Sequence, residues 1–151
     1  MKKIIILIMF LFISAITAAE DTPLEELLSA KSIRCCWGKG ATANWVKGKP
    51  EIKIEQWNPQ KEDSCVIFDA IDIKSGKARI IASSATDVSA FATAEGVTFI
   101  ENTSSGNLSI VTVFPEKEKG SDKFIAVMSR HMNMPQTPFP QQYYGTAEIL
   151  E

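Results

Sequence analysis

One histidine, three cysteines and a run of methionines carry most of the chemistry this chain could perform. His131 sits in Ser129-Arg130-His131-Met132. An imidazole can act as a general base when a nucleophile stands within hydrogen-bond reach. On a strand Ser129 shares a face with His131, but the spacing supplies no third group to orient the ring. The default for a lone histidine is a structural or surface role, and no catalytic residue is assigned. Met128, Met132 and Met134 beside His131 form a thioether-rich set of the kind that suits Cu(I). Methionine more often fills gaps in a core, so no metal site is assigned. Asp69 and Asp72, three apart, face opposite sides of a regular strand and make no acid–base pair. Gly38-Lys39-Gly40-Ala41-Thr42-Ala43 matches the dinucleotide fingerprint G-x-G-x-x-A. That motif needs a helix behind it to hold the pyrophosphate. Trp45-Val46-Lys47-Gly48-Lys49-Pro50 is a poor helix, so the segment reads as a plain glycine loop and no cofactor is expected.

The cysteines depend on the compartment, and the N-terminus indicates one. Met1-Lys2-Lys3 precedes an apolar run from Ile4 to Ile13 and small residues up to Ala19. This is the pattern of a secretory signal peptide, residues 1–19, with cleavage after Ala19. Ile4 to Ala19 is short of the roughly 20 residues that a membrane-crossing helix needs. The rest of the chain has no second long apolar run. The expectation is an exported protein, periplasmic or extracellular in a bacterium, with no stable membrane insertion after cleavage. In an oxidising compartment a disulfide is expected. Adjacent cysteines strain the peptide between them when they pair, so Cys65 is expected to bond Cys35 or Cys36. On a strand those two point to opposite faces. The one left over reads as a small buried hydrophobe. Three cysteines without a second close pair, and one distant histidine, lack the spacing of a zinc site, and none is assigned.

The whole chain has 151 residues and a formal charge of −2. Lys2 and Lys3 leave with the leader, so 14 basic residues face 18 acidic ones and the charge becomes −4. A net-acidic domain lacks the positive footprint of a nucleic-acid binder. The remaining 20–151 segment is the size of one domain and can bury a core unaided.

Local pattern then assigns the elements. Thr22-Pro23-Leu24-Glu25-Glu26-Leu27-Leu28 starts a short helix near 23–30, with a cap, a first-turn proline and acidic residues at the positive end of the dipole. From Ile33 onward the chain reads as strands. Ile52, Ile54 and Gln56 alternate with Lys53, Glu55 and Trp57. Residues 65–114 read as a meander of about five antiparallel strands with short glycine turns. Pro115 to Asp122 reads as an exposed connection. Lys123 to Met132 is the last long strand, Asn133 to Gln142 the most irregular segment, and Tyr143 to Leu150 a closing strand. Val111 and Val113 lie on one face of their strand, with Leu108, Ile110, Thr112 and Phe114 on the other. Phe124, Ala126 and Met128 likewise oppose Ile125 and Val127. Two partly apolar faces argue against a one-layer sheet with a wet side. The expectation is all-β: an antiparallel up-and-down barrel, closed or partly open and of lipocalin-like size, with a two-sheet sandwich as the alternative.

The stretch from Asp69 to Gly145 resembles small exported bacterial proteins. Ile71-Asp72-Ile73-Lys74-Ser75-Gly76-Lys77-Ala78-Arg79, Gly96-Val97-Thr98-Phe99-Ile100-Glu101, Phe124-Ile125-Ala126-Val127-Met128-Ser129-Arg130-His131 and Tyr144-Gly145-Thr146 carry the resemblance. It implies no activity and no site residues.

Closure of a barrel would bring the first and last strands together. The early Trp37, Trp45 and Trp57 and the late Phe139, Tyr143 and Tyr144 are therefore the candidate ligand-binding residues. The expected function is non-enzymatic binding of a small apolar or amphipathic ligand inside the barrel. The alternative is an envelope or host-facing interaction protein with a packed interior and an exposed apolar patch or free edge strand.

Overall fold

The computed structural model describes residues 21–82, 84–134 and 137–150. The leader expected at residues 1–19 lies outside them. Helix α1 (Pro23–Ser29) is followed by nine strands: β1 (Ile33–Val46), β2 (Lys49–Gln56), β3 (Cys65–Asp72), β4 (Lys77–Ile81), β5 (Ala85–Thr93), β6 (Gly96–Asn102), β7 (Leu108–Lys117), β8 (Phe124–Met134) and β9 (Thr137–Ile149). Consecutive strands from β3 to β9 pair antiparallel, and β1 pairs with both β3 and β9. The ladder therefore closes into an eight-stranded barrel, with β2 as one extra strand. A closed ladder replaces the sandwich alternative.

Period-two alternation sets the inner face. Ile33, Cys35 and Trp37 of β1, Phe68 of β3, Ala78 and Ile80 of β4, and Val88 and Ala90 of β5 are all buried. Val97 and Phe99 of β6, Val111 and Val113 of β7, and Phe124, Ala126 and Met128 of β8 complete the interior. Phe68 and Phe99 stack at its centre, with ring centroids 4.0 Å apart and planes 6° from parallel. α1 packs against β6 and β7 at one end. Thr22 and Glu25 form a capping box at its N-terminus, and Leu27 is fully buried. Leu28, expected on the same face, is 39% exposed, because one turn of a short helix covers little of the barrel's end. Lys117 ties the helix down: its Nζ lies 3.0 Å from Glu26 and 5.0 Å from the Phe124 ring centre.

β1 serves two partners on one side. Its Ile33–Cys36 portion pairs with β3, and its Lys39–Val46 portion pairs with β2. A bulge between Trp37 and Lys39 separates the two. Residues 38–43 are therefore strand, not the expected glycine loop. Gly40 is required where the Trp57 ring lies against the β1 backbone: a Cβ would sit 2.7 Å from Trp57 Cζ3 and from the Gln142 carbonyl oxygen. The glycine serves strand packing and holds no phosphate.

Three further expectations are corrected. β7 continues past Phe114 to Lys117, so the connection to β8 is shorter than Pro115 to Asp122. Most of Asn133 to Gln142 is strand despite its prolines. Pro138 and Pro140 have the same parity, so their missing N–H groups leave one side of β9 without donors. β1 pairs with β9 only from Gln141 onward, and that side of the 137–140 stretch needs no partner. Asp69 and Asp72 share the outer face, because a bulge between them inserts Ala70 at φ 47°. They still form no acid–base pair. Asp69 holds Arg79 through two hydrogen bonds of 2.9 and 2.6 Å, and Asp72 accepts from the Ser75 hydroxyl at 2.7 Å and from the backbone N–H groups of Ser75 and Lys74. Those bonds hold both carboxyls below the usual carboxylate range.

Cys36 lies directly opposite Cys65 across the β1–β3 ladder, and the two form the disulfide. Cys35 points inward and is fully buried as a free thiol. Burial pushes that thiol's pKa up, far from the thiolate range. Alternation along β1 thus decides between the two adjacent cysteines.

Candidate functional site

The end of the barrel covered by α1 is densely packed, and the opposite end is not. Two adjoining cavities occupy it. One, of about 270 Å³, lies between Phe68, Ile80, Phe99, Val111 and Met128, with Glu101, Ser109 and Arg130 on its polar side. The other, of about 210 Å³, is bounded by Trp37, Trp57, Tyr143, Val66, Met128 and Arg130, with Asp63 and Ser64 at its rim. Val66, Met128 and Arg130 belong to both walls.

Strand parity places the polar groups. Arg130 continues the inward series Phe124, Ala126, Met128 of β8 and pairs with Ser109 of β7 and Gln141 of β9. Its guanidinium lies beside the Tyr143 hydroxyl. Among the described residues it makes no ion pair. Tyr143 follows from β9 and packs on Trp57 at 4.9 Å between ring centres. Two buried side-chain atoms on these strands have no hydrogen-bond partner among the described residues, Trp37 Nε1 and Gln141 Oε1. A buried indole N–H without an acceptor is uncommon, because desolvation is then uncompensated. The wall therefore offers a cation and the polar side chains of Tyr143 and Ser109, set beside aromatic and aliphatic surface.

Burial raises the Tyr143 phenol above its ordinary value, and the neighbouring Arg130 only partly offsets this. The sign follows. The folded state holds this proton longer than the unfolded chain does, so the contribution is intact below about pH 10 and stability falls as pH rises beyond it. The chain has two tyrosines. Ultraviolet titration of tyrosinate should reveal one late-ionising phenol, and Tyr143→Phe should remove that late step. Loss of the earlier step instead of the late one would contradict the placement of Tyr143.

Of the six candidate ligand residues, the structure brings three together: Trp37, Trp57 and Tyr143. Trp45 and Tyr144 stand 44% and 46% exposed on the outside of the strands. Phe139 pairs with Met132 near the β8–β9 turn, away from both cavities. His131 is exposed on the outer face beside Ser129, Pro140 and Gln142, and Met128 and Met132 face the other way. The proposed thioether–imidazole set is therefore split by strand alternation; the Met134 side chain lies outside what is described. Arg130, Ser109 and Glu101 carry the polar wall and were missing from the aromatic-based selection. The inward parity of Phe124, Ala126 and Met128 already contained the signal for Arg130.

A larger concavity, about 640 Å³, lies outside the barrel beside the disulfide. Its walls include Arg34 and Lys123, both of which are already paired with Glu148. The rest is the outer wall of β3 and β4 and the exposed 59–63 segment. The lumen is the better candidate because it combines shelter with uncommitted polar groups. Among the described residues no cluster of three or more His, Cys, Asp or Glu has metal-site geometry, and no helix is long and apolar enough to cross a membrane. No family model, curated protein or solved structure matches this chain.

Proposed function

We propose that this chain is an exported protein that binds one small amphipathic molecule in the open half of its barrel and carries out no chemistry on it. The observation that carries this reading is the pair of adjoining cavities around Arg130, Trp37 and Tyr143. Together they fall in the lower half of the roughly 300–1,000 Å³ span of small-ligand pockets. An apolar body suits the space between Phe68, Phe99 and Met128. A polar or anionic head suits Arg130, with Tyr143 and Ser109 beside it. The leader pattern of residues 1–19 and the Cys36–Cys65 bridge support a periplasmic or extracellular setting.

Native mass spectrometry of protein recovered from its own compartment tests the reading. The expected result is one retained small molecule per chain. As an independent arm, 1-anilinonaphthalene-8-sulfonate should bind with one-to-one stoichiometry and change the tryptophan emission. Val66→Trp, which inserts bulk where the two cavities adjoin, should abolish that binding while leaving the far-ultraviolet circular dichroism intact. Probe binding indifferent to Val66→Trp, with no molecule retained, would refute a lumen site.

The second reading, a protein contact surface, has an observation of its own. β2 lies outside the closed barrel with a free edge and carries the two most exposed large hydrophobics, Ile52 and Ile54.

A further inference from the structure

We propose that β2 is a self-pairing edge, and that two copies of this protein join through antiparallel β2–β2 pairing about a twofold axis. β2 bonds to β1 along one side and to nothing along the other among the described residues. All but one of its eight residues are exposed, with Ile52 at 70% and Ile54 at 63%. Natural edges are ordinarily blunted by charged side chains, proline, covering loops or short length. This one carries Lys49, Pro50, Glu51, Lys53 and Glu55, but it is eight residues long and uncovered, its charges alternate in sign, and its other face bears Ile52 and Ile54.

The ladder fixes which groups the free edge offers. Lys47 and Gly48 form a two-residue turn with φ of 52° and 77°, and Val46 faces Lys49. In such a hairpin the residues flanking the turn are a hydrogen-bonded pair, and bonded and non-bonded pairs then alternate. Trp57 N–H donating to the Gly38 carbonyl at 3.0 Å lies on the same phase. Lys49, Glu51, Lys53 and Glu55 therefore bond toward β1. Ile52, Ile54 and Gln56 turn their N–H and C=O groups outward, and so does the carbonyl of Pro50. Pro50 lacks an N–H on the free side, so a register that sets it opposite Ile54 of a second copy loses one hydrogen bond at each end.

The side chains then select the partner. On one face the order is Lys49, Glu51, Lys53, Glu55. A twofold register centred on Ile52 sets Lys53 opposite Glu51 of the second copy and Lys49 opposite its Glu55. A register centred on Ile54 sets Lys53 opposite Glu55. Registers centred on Glu51 or Lys53 instead oppose like charges, which destabilises cross-strand pairs. Both permitted registers place isoleucines of the two copies side by side on the outer face. A twofold contact is self-complementary, and an alternating charge pattern read against its own reverse meets that requirement. The second copy of this chain is thus the occupant that the charges specify. A short edge contact belongs with small, reversible interfaces, so the dimer should be concentration-dependent.

Light scattering of the purified protein along a dilution series tests the proposal. The expected result is a mass that moves from two chains toward one on dilution. Lys53→Glu should shift this transition to at least tenfold higher concentration. Adding Glu51→Lys or Glu55→Lys to it should restore the transition for whichever register forms. Ile52→Cys or Ile54→Cys should give a covalent dimer on mild oxidation, since facing residues of a hydrogen-bonded pair lie within disulfide reach. Phe91→Cys, on the outer wall of β5, should not. A monomer at every concentration, or a dimer untouched by Lys53→Glu and not trapped by either cysteine, would overturn the proposal. A dimer that dissociates with Lys53→Glu but is rescued by neither reversal would also overturn it, because opposed charges would not then set the register.

Discussion

Phe99→Ala should lower the unfolding free energy by about 3–5 kcal/mol, a large share of the total for a domain of this size. Phe99 is 1% exposed and stacks face to face on Phe68 at 4.0 Å, so the substitution removes both buried area and an aromatic partner. The neighbours cannot collapse into the gap, since Val111 and Ala90 are held opposite it by the β6–β7 and β5–β6 ladders. Urea unfolding followed by circular dichroism should show a lower midpoint with an unchanged slope. Phe99 also borders the larger lumen cavity. The variant should therefore accept a bulkier amphiphile than the parent while being less stable. A loss below about 1 kcal/mol would mean that the barrel centre is not packed as described.

Removing the disulfide should have a comparable effect. Cys36 and Cys65 are 29 residues apart, and a loop of that size corresponds to roughly 3–4 kcal/mol on the chain-entropy estimate. The Cys36→Ser, Cys65→Ser double variant should lose that amount, and mild reduction of the parent should mimic it. Thiol counting checks the pairing itself. The native protein should expose no reactive thiol, because Cys35 is fully buried. In denaturant without reductant it should yield one, and peptide mapping should place it at Cys35. A bridge mapped to Cys35 would require β1 to run with its faces exchanged.

Much of this architecture is legible in residue order, and the reason is period-two burial. Phe124, Ala126 and Met128 on one face and Val111 and Val113 on another predict inward series that the barrel keeps. The short glycine turns between residues 65 and 114 yield the expected five-strand meander. What escapes the sequence are the places where the period breaks. The segment read as a plain glycine loop at residues 38–43 is strand beyond the Trp37/Lys39 irregularity, and Ala70 moved Asp72 to the face of Asp69. Neither bulge has a local residue signal strong enough to announce it. Aromatic content alone also misplaces site residues. Trp37 and Tyr143 fall inward and Trp45 and Tyr144 outward because of parity relative to closure, which requires knowing where β1 meets β9. The free edge of β2 depends on β1 being shared between two partners, a tertiary fact with no counterpart in local pattern.

The seam between β1 and β9 has a temporal consequence. It joins the first strand to the last, so no contact in the barrel spans more chain, and long-range closure is slow to form. β1 cannot acquire a neighbour along its other side until the 13-residue β9 is present. A chain emerging from its N-terminus therefore holds its earliest strand half-bonded while every later hairpin forms. Assembly is gated by the arrival of β9, and a nascent chain stays pliable until then.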